Sequence, residues 1–303
     1  MVSERRRRIA ARIVQKLRDA GIGVEIFAPP AHIPSERLLR RDRIVTILAL
    51  ALLTALAWSY LVWLSADMFM GGMDMSGLRM IPSGMGLMMP AHTPWQAMEF
   101  AFVFVMWTVM MVGMMTPSAA PMILMYARMG RTVEPQDRPL VSTVWFVAGY
   151  FLVWAAFSLF ATLVHCALER AALLNSAMAS TNNVLGGLVF VAAGSYQWTR
   201  LKDACLAQCH RPFAFLIRHG GYRRDALGSV TLGLRYGAYC VGCCWVLMAL
   251  LFVGGVMNVL WIVLLALFIS LEKVTSFGRW IAPVAGIILI AAGAWLLLGI
   301  SEA

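Results

Sequence analysis

The stretch GLRYGAYCVGCCWVLM, Gly233 to Met248, places three cysteines inside an apolar run that extends over residues 229–253. A run of this length reads as a membrane-crossing helix, which needs about 20 apolar residues. Residues three and four apart share one face of a helix, so Cys240, Cys243 and Cys244 form a single cluster, with Met248 one turn further on. Thiolate sulfur is a soft ligand that suits Cu(I) or Zn(II). A close pair of cysteines also suits thiol–disulfide exchange.

The rest of the chain has the same character. Of its 303 residues, 61% are hydrophobic and 13% charged, where a soluble domain averages about 25% charged residues. The expected fold is all-α, a polytopic transmembrane helix bundle. Apolar runs at 44–66, 98–127, 141–165, 183–199, 229–253, 256–272 and 281–299 give about seven spans, or six, since the fourth and sixth are short. The first run is too long and starts too late for a cleaved signal sequence, so it is expected to stay as an anchor. The net charge of +10 is concentrated at helix ends. It reads as an orientation signal rather than a nucleic-acid surface, and no nucleic-acid partner is expected.

Two parts follow from this division. Residues 1–43 form a basic segment with Arg5 to Arg8, Arg12, Lys16 and Arg18, and with Ile9, Ile13, Val14 and Leu17 at helical spacing. That pattern fits an amphipathic helix on an anionic membrane surface. Residues 44–300 form the transmembrane part. Loops 128–140, 200–228 and 272–280 are rich in Arg and Lys, whereas loops 67–97 and 166–182 hold one Arg each. The positive-inside rule then puts the N-terminus in the cytoplasm and loop 67–97 outside. The expected location is a bacterial inner membrane.

Methionine is the compositional outlier: 17 of the 21 lie between Met68 and Met129. The loop DMFMGGMDMSGLRMIPSGMGLMMPAH, Asp67 to His92, contains Met73 and Met75 as a close pair and ends on His92. Thioether sulfur is a weak neutral donor that favours Cu(I) over hard cations, although methionine also serves as adaptable packing. In the helix that follows, Met106, Met110 and Met114 form one stripe, and Met111 and Met115 an adjacent one. Pro117 and Pro121 lie further along and are expected to bend this helix. A third group, Cys205, Cys209 and His210, sits in the charged stretch KDACLAQCH. It is expected on the cytoplasmic side as an acceptor for metal, or as a separate site.

Taken with the runs Met106 to Met122, Tyr196 to Pro212 (YQWTRLKDACLAQCHRP), Gly254 to Asn258 (GGVMN) and the pair Glu272-Lys273, the opening stretch resembles a bacterial family of predicted metal-binding integral membrane proteins. Some members of that family are described as copper chaperones for tyrosinase-type polyphenol oxidases. The resemblance covers roughly residues 40 to 300 and implies metal handling with copper as the metal. Copper, as Cu(I), is therefore the expected ion, with zinc second.

No P-loop is present, so ligand exchange between sulfurs is the expected mode of movement, and no enzyme activity is expected. The function read here is copper binding and delivery to a copper-dependent enzyme or another metallochaperone within the lipid bilayer. A membrane thiol–disulfide oxidoreductase and a metal-free assembly subunit are the alternatives.

Overall fold

The computed structural model describes residues 36–70, 78–80, 88–90, 95–133, 139–171, 173–174, 182–275 and 278–299. The chain is a bundle of helices. In order they are α1 (Glu36–Met70), α2 (Ala97–Val133), α3 (Pro139–Arg170), α4 (Asn183–Tyr196), α5 (Arg200–His210), α6 (Pro212–Arg218), α7 (Ala226–Ala249), α8 (Leu251–Gly254), α9 (Val259–Val274) and α10 (Gly278–Leu297). Between α1 and α2, strands β1 (Leu78–Met80) and β2 (Met88–Pro90) pair antiparallel, with Leu78 opposite Pro90. All seven apolar runs are helical. Four are long and apolar enough to cross a membrane: Arg43–Ala66, Ala97–Val133, Leu140–Arg170 and Ala226–Gly254.

Glycine decides which helices touch. The closest pair is α3 with α7, whose backbones meet directly. A Cβ added at Gly233 would lie 2.1 Å from the carbonyl oxygen of Phe146, and one at Gly149 would lie 2.2 Å from that of Val230. Small residues permit such approach where lipid offers no hydrophobic driving force. The same device joins α4 to α10, where Gly194 faces the carbonyl of Gly286 and Gly187 that of Gly293. α2 packs against α1, α3 and α9.

Both prolines at which the sequence pattern predicts a bend, Pro117 and Pro121, lie inside α2, which runs as one helix from Ala97 to Val133. Proline deletes a ladder hydrogen bond, and carbonyls in hydrocarbon need another donor. Next to the prolines the hydroxyls of Thr116 and Ser118 donate to the carbonyls of Val112 at 2.6 Å and Met115 at 2.9 Å, as side-chain bonds added to the ladder.

Side-chain caps set several helix starts. Asn182, Thr199, Asp225 and Asn258 accept backbone N–H groups at the N-termini of α4, α5, α7 and α9. Gly255, at φ 91°, turns the chain after α8, a conformation that favours glycine.

α4 and α9 are short, with 14 and 16 residues. At 1.5 Å per residue they rise about 21 and 24 Å, less than the roughly 30 Å of a hydrocarbon core. Both end at the level of Cys240 and Gly242, as contacts from Tyr196 and Lys273 show. The middle of α7 therefore meets the long helix α3 on one side and helix ends together with α5 on another.

A bulky residue at the α3–α7 contact has no room. Gly233→Leu is expected to destabilise the bundle by at least the roughly 1–3 kcal/mol typical of overpacking. Thermal unfolding in detergent checks this, with Leu188→Ala on the exposed face of α4 expected to change little.

Candidate metal centre

The cysteines of α7 lie on its buried face. Cys240, Cys243 and Cys244 are each at most 1% exposed. The thiols of Cys243 and Cys244 both donate to the carbonyl of Cys240 at 3.0 Å. From α3, the hydroxyl of Tyr150 lies 3.2 Å from Cys240 Sγ and also donates to the carbonyl of Met115 at 3.4 Å. Tyr150 thus joins the cysteine helix to the methionine helix.

The stretch read as a cytoplasmic loop folds back onto this face. In α5 the buried residues are Lys202, Cys205, Leu206 and Cys209, a stripe at the spacing of an amphipathic helix. α5 lays that stripe against α7. A Cβ at Gly242 would lie 2.9 Å from Cys205 Sγ, so this glycine makes the space that Cys205 fills. Cys209, also buried, faces Cys240 and Cys243 closely enough for their side chains to interact. The sequence left open whether Cys205 and Cys209 form a separate site; in the fold they lie against the cysteine face of α7, so that five cysteines from two helices are neighbours. All are free thiols.

His210 points elsewhere: its Nε2 lies 2.7 Å from the carbonyl of Glu272. Its contact ties α5 to α9. Met106, Met110, Met111, Met114 and Met115 are all fully buried. Of these, Met115 touches the cluster's surroundings through its sulfur, 3.7 Å from Lys273 Nζ. Met248, also buried, lines an apolar cavity of about 240 Å³ together with Trp107, Phe157, Trp245 and Phe252. Met73, Met75 and His92 lie outside the described residues.

The charged residues of the centre were counted in the sequence as loop charges, and here their burial changes their meaning. Lys202 is 0% exposed; its Nζ pairs with the carboxylate of Glu272 and donates to Oε1 of Gln197. Lys273, 5% exposed, turns the other way. Its Nζ donates to Cys240 Sγ at 3.0 Å and to Cys244 Sγ at 3.5 Å. The signal for Lys202 was its place in the stripe with Cys205 and Cys209. The signal for Lys273 was an acid–base pair closing an otherwise apolar helix.

At the far end of the methionine helix, His165 of α3 is 1% exposed, and the indole of Trp107 donates to its Nδ1 at 3.4 Å. The methionine stripe of α2 therefore lies between a buried histidine and the cysteine cluster.

As placed, no three His, Cys, Asp or Glu side chains among the described residues close on a common point. Cys243 and Cys244 are directed at a backbone carbonyl, and rotation about χ1 is what would turn them to an ion. The donors present are thiols and thioethers, which suit a soft ion.

Removing the carboxylate of Glu272 would leave Lys202 as an unpaired buried cation. Glu272→Gln is expected to cost about 3–5 kcal/mol, read as a fall in the unfolding midpoint. Glu272→Gln combined with Lys202→Met is expected to recover most of it.

No curated protein and no solved structure matches the chain at a significant level. A family model does: PpoB2, described as a copper chaperone, matches residues 104–296. That span holds the methionine stripe of α2, Tyr150, the whole cysteine cluster and the Lys202–Glu272–Lys273 group. The chain belongs to the PpoB2 copper chaperone family.

Proposed function

We propose that this protein binds Cu(I) within the bacterial inner membrane and delivers it to a copper-dependent enzyme or another metallochaperone. The observation that carries the reading is the convergence of Cys205, Cys209, Cys240, Cys243 and Cys244 on one buried face, next to Met115. Soft donors concentrated out of contact with water suit a soft, weakly hydrated ion.

The buried methionines of α2 support a route to this cluster. Met106, Met110 and Met114 follow at one-turn intervals, about 6 Å apart. Met115 is the last of the group and lies beside the centre through Lys273. A thioether holds Cu(I) weakly and a thiolate holds it firmly, so transfer from the stripe to the cluster runs downhill. Each step exchanges one sulfur for another, and copper stays Cu(I) throughout. In this reading the methionine-rich loop collects the ion on the outer side, where Met73, Met75 and His92 are the first ligands. Copper here is cargo, and the protein needs no catalytic step.

Purification under anaerobic, reducing conditions, followed by Cu(I) loading and desalting, tests the reading. The parent is expected to retain copper. Replacement of Cys240, Cys243 and Cys244 by Ser is expected to weaken retention well beyond tenfold, because even outer-shell changes at metal sites cost about 10–100-fold. A parent that retains no copper above background contradicts the function. Copper that persists unchanged in the triple variant contradicts the assignment to the cysteine cluster.

A further inference from the structure

The charges packed around the sulfur atoms do not cancel. Lys202 and Glu272 neutralise each other as a buried pair. Lys273 has no such partner: among the described residues its Nζ contacts are to sulfur, namely Cys240 at 3.0 Å, Cys244 at 3.5 Å and Met115 at 3.7 Å. An ammonium group held at that distance from two thiols is a fixed positive charge inside the ligand set. At such range, and out of water, one unit of charge weighs heavily.

We propose that Lys273 is the specificity-determining residue of the centre: its positive charge makes the cysteine cluster select a monovalent soft ion over a divalent one. The proposal rests on the copper reading above and adds to it the reason for copper over zinc.

The charge arithmetic is direct. Cu(I) held by the thiolates of Cys240 and Cys244 carries a net charge of minus one, and the ammonium of Lys273 brings the centre to zero. Zn(II) held by the same two thiolates is already neutral, so the ammonium leaves one uncompensated positive charge in an apolar surrounding, which is costly. Zinc would regain neutrality with a third thiolate. It also wants a closed tetrahedron, so zinc needs Cys243 or Cys209 to turn in as a further thiolate, whereas Cu(I) with Lys273 is neutral on two. Loading forms two copper–sulfur bonds and releases two thiol protons to solvent. No electron moves, because copper arrives and leaves as Cu(I).

The position of Lys273 is set by the fold and is not incidental. It is the penultimate residue of α9, and α9 stops at the level of Cys240. Its neighbour Glu272 is held by Lys202, while the carbonyl of Glu272 meets His210. These contacts from α5 fix the end of α9 so that the two side chains diverge, one to Lys202 and the other to sulfur.

The test compares the full-length protein in detergent with Lys273→Gln, Lys273→Met and Lys273→Arg. Each is titrated with Cu(I) and, separately, with Zn(II) against a chromophoric chelator. The neutral variants are expected to bind Cu(I) about tenfold more weakly and Zn(II) about tenfold more tightly than the parent. Lys273→Arg, which keeps the charge, is expected to hold the Cu(I) to Zn(II) ratio within about threefold.

An unchanged ratio in the neutral variants overturns the proposal while leaving the copper reading intact. So does a Cu(I) to Zn(II) ratio in Lys273→Arg about tenfold or more below the parent's, and because it is read against the parent this arm also decides the matter if the neutral variants fail to fold. A parent that binds no Cu(I) overturns the copper reading itself, and the proposal with it.

Discussion

An ammonium group placed among apolar helices must find a partner or be expelled. Lys273 satisfies that constraint with sulfur, and much of the surrounding structure follows from it. Cys240, Cys244 and Met115 come from two different helices, and α9 brings the lysine to both. Tyr150 of α3 binds the same cysteine and the same methionine helix. A second lysine is accommodated at the same level only because Glu272 and Gln197 are there to receive it. The centre is thus a polar inclusion built from five helices, α2, α3, α5, α7 and α9, and its sulfur atoms accept a cation and are the proposed ligands for a soft metal.

The architecture around it is what such an inclusion requires. Four long helices supply the apolar wall. α4 and α9 stop short, and the polar helix α5 occupies the space this leaves beside α7. Glycine permits both arrangements. Gly149 and Gly233 let α3 and α7 touch, which brings Tyr150 to Cys240, and Gly242 leaves room for Cys205. Side chains also meet backbone carbonyls at this level, His210 that of Glu272 near the end of α9 and Tyr196 that of Gly242 within α7.

The helices themselves were legible from the sequence, because length and apolar composition are sufficient to mark a span. The cysteine face of α7 was legible too, since helical spacing alone groups Cys240, Cys243 and Cys244. The return of α5 was not. Its charged residues read as an exposed loop, and positive-inside counting has no means to separate a lysine at the interface from one turned inward. Lys202 and Lys273 were both counted as orientation charges, yet both are buried. The stripe Lys202, Cys205, Leu206, Cys209 was the available clue, and it becomes informative only once α7 is known to offer a complementary surface. His210 illustrates the opposite error: next to two cysteines in sequence, it is committed to a carbonyl of α9. His165 and Trp107, far apart in the chain, give no pairwise signal in the sequence at all.

The central claim is that Cu(I) is held by buried cysteine sulfur beside Lys273. X-ray absorption at the copper edge on the Cu(I)-loaded, full-length protein tests it most directly. The account predicts an edge typical of Cu(I) and a first shell of sulfur alone, at about 2.3 Å, which is lost when Cys240 and Cys244 are changed to Ser. A first shell of nitrogen or oxygen, or a sulfur shell that survives that double change, would contradict it.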